Sequence, residues 1–309
     1  MTGAWIAGSV RARLLAAERT IGADGARTLA AAPNLQEALL LLARTPYHRE
    51  VRLELGLADA QRAVAGTALM NLRLLAGWLP GGALGMLRAL CAWFELANIE
   101  DRVAYLGGGR LRHPFELGAL ATAWPRPVDA QSLDELRRIL ARTSWGDPDG
   151  ATAGELGIGL RLAWARRVDA EAPEARHWAA GAAALLLARE LFVTGIPVDL
   201  LPVPRPTMLG GAWPGAGTFE RFVETLPHQA AWVFDAAADP DELWRAEAGW
   251  WAQVERDAAA MAGGSAAGRL VVVGAVALLA VDAHRTAAAL AVAARRDLAG
   301  AEEAFRAAA

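Results

Sequence analysis

A stretch of fourteen residues occurs twice in this chain, as NLQEALLLLARTPY at 34–47 and as SLDELRRILARTSW at 132–145. Aligned without a gap, the copies are identical at Leu35/Leu133, Glu37/Glu135, Leu42/Leu140, Ala43/Ala141, Arg44/Arg142 and Thr45/Thr143. Each opens on a residue that caps helices well, Asn34 or Ser132, and closes on a large aromatic, Tyr47 or Trp145. A contiguous Leu-Ala-Arg-Thr set between cap and aromatic exceeds what a composition rich in those residues supplies by accident. The copies lie 98 residues apart, and the 309-residue chain holds about three such spans. Self-similarity at a long period marks a repeated structural unit. A repeated helical unit points to a scaffold before it points to an active site.

The chain can build a core. Hydrophobic residues make up 54%, charged residues 21%, and the mean hydropathy is +0.22, which excludes global disorder. Length alone allows about two domains. The net charge of −3 leaves no electrostatic footprint for nucleic acid. All 31 basic residues are arginine, a bias that fits a GC-rich coding sequence. The single cysteine, Cys91, lies in the apolar run LRALCAWF and reads as a buried structural thiol. The opening MTGAWIAGSVRARLL carries charges where a secretory leader needs apolar residues, so none is expected there. The most apolar run, Leu270 to Val281, is about twelve residues, short of the roughly 20 that span a bilayer. It reads as a buried core helix, and a cytoplasmic setting is expected.

Periodicity places helices almost throughout. Ala7 to Arg19 reads as amphipathic, with Val10, Leu14, Leu15 and Ala17 opposite Arg11, Arg13 and Glu18. Asn34 caps the first repeated helix with Glu37 in the capping-box position, and Thr45-Pro46 ends it. Long helices are expected at 58–79 and 84–106, stopped by Pro80-Gly81-Gly82 and Gly107-Gly108-Gly109. After the Trp124-Pro125-Arg126-Pro127 linker, Ser132 caps the second copy, and Asp147-Pro148-Asp149-Gly150 makes a loop. Further helices are expected at 154–169, 173–194, 218–226, 239–261 and 265–296. Pro197, Pro202, Pro204 and Pro206 suggest a boundary. Strand alternation is nearly absent. The expectation is an all-α chain of three helical units, at 1–109, 110–203 and 204–309, with pseudo-threefold symmetry.

Residues with chemistry do not converge in sequence. His48, His113, His177, His228 and His284 include no pair four apart on one helix and no HExxH, and no serine lies in a GxSxG elbow. No glycine-rich segment forms a phosphate loop, and a chain without lysine cannot complete one. In FELANIEDRVAYL, Glu95 and Glu100 are five apart, which misses the four-residue spacing that grips Mg²⁺ on one helix face. No catalytic, cofactor or metal residues are therefore assigned, and neither hydrolysis, group transfer nor nucleotide binding is expected. The twelve tryptophans, including Trp244, Trp250 and Trp251 on one helix with Glu247 and Glu255, read mostly as packing, with some as partner anchors.

Taken together, AGSVRARLL, NLQEALLLLARTPY and FELANIEDRVAYL resemble the C (or d) subunit of V/A-type rotary ATPases. In that family the first unit starts with a Tyr-x-x-x-Arg-Val-Arg-like helix. It continues through a Leu-x-Glu-x-Leu…Leu-x-x-Thr-x-Tyr helix and closes on Asp-x-x-Asn-Leu-Lys. Val10-Arg11 matches the first motif, Leu35, Leu42, Thr45 and Tyr47 the second, and Glu95 and Asn98 the third, with Glu95 in place of Asp. VALLAVDAHRTAAALAVAARR is similar to the family's final helix, with Asp282 and Arg285 at its polar positions, although the family's Asn and Lys are missing.

The resemblance implies a non-catalytic central-stalk subunit without cofactors, shaped as a funnel of three helical units. Such a subunit couples a rotating shaft to the membrane rotor ring during ATP-linked ion transport. It is peripheral to the inner face of the cell membrane and held there by protein contacts alone. Glu95, Asn98, Arg102, Asp282 and Arg285 are candidates either for partner binding or for satisfying polar groups between helices. Two other classes stay open. A stand-alone helical enzyme for an apolar or isoprenoid-like substrate would need one asymmetric cavity with convergent carboxylates. A helical adaptor would show open-ended repeats of about 30–45 residues.

Overall fold

The computed structural model describes residues 3–201 and 207–295, and among them every regular element is helical. Pro202, Pro204, Pro206 and Arg296 lie outside the described residues. In chain order the α-helices are α1 (Gly3–Glu18), α2 (Gly22–Ala30), α3 (Leu35–Leu42), α4 (Leu57–Ala76), α5 (Leu84–Leu106) and α6 (Leu133–Leu140). They continue with α7 (Ala153–Glu171), α8 (Arg176–Phe192), α9 (Phe219–Thr225), α10 (His228–Ala231), α11 (Leu243–Gly263) and α12 (Arg269–Ala294). Short 3-10 turns fill several connections, including Arg126–Asp129, where the sequence suggested only a linker. The chain divides into two compact units, Met1–Ala83 with Trp251–Ala309, and Leu84–Trp250. These units are defined by compactness, whereas the three-unit division read from the sequence concerns repeated topology.

Caps explain several of the boundaries. The side chains of Asn34, Ser132 and Thr218 accept from the main chain of Glu37, Glu135 and Arg221, starting α3, α6 and α9. Thr152 and Glu155 form a full capping box at α7. α3 ends at Leu42, three residues earlier than the proline rule alone suggested. The Thr45 hydroxyl donates to the Leu42 carbonyl (2.6 Å), and a 3-10 turn closes the helix. Thr143 and Thr225 repeat this on Leu140 (2.7 Å) and Phe222 (2.8 Å).

In the first unit, α12 lies against α1, α2, α3 and α4. At 26 residues α12 is long and apolar enough to cross a membrane, yet 72% of its most apolar window is buried in the fold. Its hydrophobic surface is spent on a core that includes Leu15, Leu29, Leu39, Leu72 and Val272. A Cβ at Gly274 would meet the Ala258 carbonyl at 2.5 Å, so α12 approaches α11 at a distance only glycine permits. α1 departs from its sequence reading. Gly8, Ser9, Ala12 and Leu15 are buried, whereas Ile6, Val10 and Leu14 are 51%, 51% and 41% exposed. Close approach selects the small residues for the inner face: a Cβ at Gly8 would stand 2.7 Å from Leu79 Cδ2.

In the second unit, α5 packs on α7, α7 on α8, and α8 on α9 and α10. Its core joins Leu96, Ile99 and Val103 of α5 to Leu136 and Leu140 of α6, Leu160 of α7 and Trp145. Around α9 the core is aromatic, with Phe222 in edge contact with Phe192, Trp213 and Phe234 at 5.5–6.2 Å between ring centroids. The loop after α6 is tied down by Arg137, which donates to both carboxylate oxygens of Asp147 (3.0 and 3.1 Å), to Asp149 (3.1 Å) and to the Gly150 carbonyl (3.0 Å). That loop lies on α7 so closely that a Cβ at Gly159 would sit 1.8 Å from the Pro148 carbonyl. Because neither helix nor tied loop can move independently, Gly159→Ala is expected to cost about 3 kcal/mol. Denaturant unfolding monitored by circular dichroism checks this, and wild-type stability would show that the loop is free to shift.

Candidate functional site

The most developed polar constructions are two buried carboxylates, each at the middle of a long helix and each joined to one copy of the repeat. Asp282 on α12 is 3% exposed. It accepts from the main-chain N–H of Ile21 (3.1 Å) and Gly22 (2.8 Å), where the chain turns into α2, and from the Tyr47 hydroxyl (2.7 Å). Glu95 on α5 is 1% exposed. One of its oxygens accepts from three successive N–H groups, Thr122 (2.7 Å), Ala123 (2.8 Å) and Trp124 (2.8 Å). The other accepts from the Trp145 indole (2.7 Å) and the Thr122 hydroxyl. In both places the repeat's threonine accepts from the aromatic's own N–H at 3.2 Å, Thr45 from Tyr47 and Thr143 from Trp145. The repeat is thus a device for aiming an aromatic donor at a buried acid. Ala43-Arg44 and Ala141-Arg142 have no such role in the structure.

The two acids differ electrostatically. Burial pushes Glu95 upward, but donations from Thr122, Trp124 and Trp145 outweigh it and leave the carboxyl below its ordinary value. Burial dominates at Asp282, which lies above its ordinary value despite Tyr47, Ile21 and Gly22. Tyr47 is pushed well up, first by burial and then by the neighbouring Asp282 charge.

The other sequence candidates are engaged inside their own units. Asn98, 1% exposed, exchanges two hydrogen bonds with the main chain of Phe115, donating to its carbonyl (2.9 Å) and accepting from its N–H (2.6 Å). Arg102, 8% exposed, donates to the Ala130 carbonyl and lies 5.0 Å from the Tyr105 ring. Arg285, 3% exposed, pairs with Glu255. The structure therefore groups Glu95, Asn98 and Arg102 along one helix and Asp282 with Arg285 along another. The tryptophans of α11 separate: Trp250 donates to the Trp178 carbonyl (2.9 Å), Trp251 stacks on His284 at 4.0 Å, and Trp244 is 36% exposed.

Sequence reading missed a cleft beside Glu95, of about 640 Å³, whose lining includes Arg88, Arg166, Arg167, Thr122, Ser144 and Glu171. Arg167 lies over the Trp145 ring at 4.7 Å and donates to the Thr122 hydroxyl at 3.2 Å. Arg88 on α5 and the Arg166-Arg167 pair on α7 are far apart in sequence, and nothing in either local pattern marks them. Among the described residues no group of three or more His, Cys, Asp or Glu could hold a metal ion. Neither a protein-family model nor a curated protein matches the chain.

The donor sets give opposite expectations for two near-isosteric substitutions. In Glu95→Gln the new amide N–H group faces either three main-chain N–H groups, which cannot accept, or the Trp145 indole, which cannot accept, beside a Thr122 hydroxyl that already accepts from Arg167. In Asp282→Asn the new amide can face the Tyr47 hydroxyl, which accepts as readily as it donates. Glu95→Gln is expected to cost about 2–3 kcal/mol at pH 7 and Asp282→Asn about 1 or less. Because the folded value of Glu95 is lowered, its contribution is complete above the unfolded value near 4.3 and fades as pH falls through the folded value. Urea unfolding of both variants from pH 7 to pH 3 should show the Glu95→Gln deficit shrinking below about pH 4.3. Equal deficits for both variants would contradict the donor assignment.

Proposed function

We propose that the chain is a non-catalytic central-stalk subunit of a V/A-type rotary ATPase, coupling the rotating shaft to the membrane rotor ring during ion transport. The observation that carries the reading is the twice-built module of cap, threonine, aromatic and buried acid. It uses Thr45, Tyr47, Glu95 and Asp282, which are among the residues through which the sequence resembles that family. Element order supports a third turn of the same plan. A short capped helix followed by long helices occurs as α3-α4-α5, α6-α7-α8 and α9-α11-α12. In the third, Phe222 takes the position of Leu42 and Leu140 beneath the threonine and packs edge-on against Phe192. On this reading the division at 1–109, 110–203 and 204–309 describes three related units around a pseudo-threefold axis.

The candidate polar residues are committed to bonds inside the protein, most of them across the boundaries of this division, and partner contact is assigned elsewhere. Ile6, Val10 and Leu14 repeat every four residues on the outer face of α1 and are all exposed. Such a stripe suits a helical partner such as the shaft. Attachment to the membrane would then run through protein contacts at its inner face. The enzyme reading requires converging carboxylates, whereas the cleft beside Glu95 brings together three arginines and Glu171.

Isolation of the tagged chain from its native membranes in mild detergent, with mass spectrometry of what accompanies it, tests the proposal. Recovery with the shaft, ring and nucleotide-hydrolysing subunits of a rotary ATPase is expected. Recovery alone, or with unrelated proteins, would remove the stalk assignment and leave a helical scaffold.

A further inference from the structure

We propose that the cleft between α5 and α7 binds a small multivalent oxyanion, held by Arg88, Arg166 and Arg167. Its volume, about 640 Å³, falls in the range of small-molecule sites. Three guanidiniums line it against one carboxylate, Glu171. Counting Glu95 behind Trp145, whose oxygens already accept from five donors, the balance stays positive. The nearest approach of Arg167 Nη1 to Glu95 is 4.0 Å, and that nitrogen is buried without a hydrogen bond. Arg88 is held from behind, its Nε donating to the Ala119 carbonyl at 2.9 Å, which leaves its terminal nitrogens for the cleft. The Thr122 and Ser144 hydroxyls add neutral donors to the wall.

Guanidiniums bind phosphate and carboxylate oxygens in pairs, and several on one concave wall favour a ligand with more than one negative charge. Burial holds Arg166 and Arg167 below the usual arginine value, and an anion in the cleft favours their charged forms. Trp145 forms part of the same wall. An occupant therefore touches the residue that donates to Glu95 and supports Arg167. Glu171 disfavours a bare anion on its side of the cleft and directs the charge toward the arginines.

Isothermal titration of the intact protein with pyrophosphate at low ionic strength is the test, with citrate in a second arm. Saturable binding to one site is expected, weakened about tenfold by Arg88→Ala and by Arg166→Ala and strengthened about threefold by Glu171→Gln. Arg189→Ala on α8, outside the cleft, should leave the affinity unchanged, and thermal melts confirm that each variant folds. Tighter binding of pyrophosphate than of citrate assigns the site to phosphates, and equal binding assigns it to multivalent oxyanions generally. No saturable heat from either anion would overturn the proposal. So would affinities indifferent to Arg88→Ala, Arg166→Ala and Glu171→Gln alike.

Discussion

Burying a carboxylate is expensive unless nearly every lone pair finds a donor, and the fold meets that requirement twice. Most of the donors are main-chain N–H groups: those of Ile21 and Gly22 for Asp282, and those of Thr122, Ala123 and Trp124 for Glu95. Main-chain donors cannot rearrange without moving the chain that carries them, so each acid fixes a loop against a helix. The aromatic donors Tyr47 and Trp145 then fix the ends of α3 and α6 to the same points. Each acid thereby orients a short helix on a long one, and the apolar packing fills in around that geometry.

Much of this was legible from residue types. Caps, breakers and helical period placed most helices, and α5 was placed to the residue at Leu84–Leu106. The repeat itself drew attention to Thr45, Thr143, Tyr47 and Trp145. The resemblance named Glu95 and Asp282 without saying what they touch. What escaped was whatever depends on the main chain or on distant segments. The N–H groups at 21–22 and 122–124 have no residue-type signature, and Trp124-Pro125-Arg126-Pro127 reads as a linker although its first member donates to Glu95. α1 misled for a related reason. Its sequence shows a hydrophobic stripe, but close approach to Leu79 reserves the inner face for Gly8, Ser9 and Ala12 and turns Val10 and Leu14 outward. Arg88 and the Arg166-Arg167 pair became a cleft only once α5 and α7 were packed together.

The division of labour among polar residues bears on function. Those that look most functional in sequence are 1–8% exposed and committed to internal bonds. On the proposed stalk reading, that interior suits a rigid coupling element, because torque passed through loosely held helices would be lost to local deformation. Two surface features, the apolar stripe on α1 and the arginine-lined cleft on the second unit, differ in chemistry. One suits a helix, the other a small anion, so a stalk role and an anion site can stand or fall separately.

The central claim is that this scaffold works in contact with a rotary motor. A photo-reactive amino acid placed at Val10, 51% exposed in the middle of the α1 stripe, can be activated in native membranes and the cross-linked partner identified by mass spectrometry. The account predicts a cross-link to the shaft subunit of a V/A-type ATPase, lost when Ile6 and Leu14 are replaced by serine. Cross-linking to proteins unrelated to such a motor, or none while the protein is folded and membrane-associated, would contradict it.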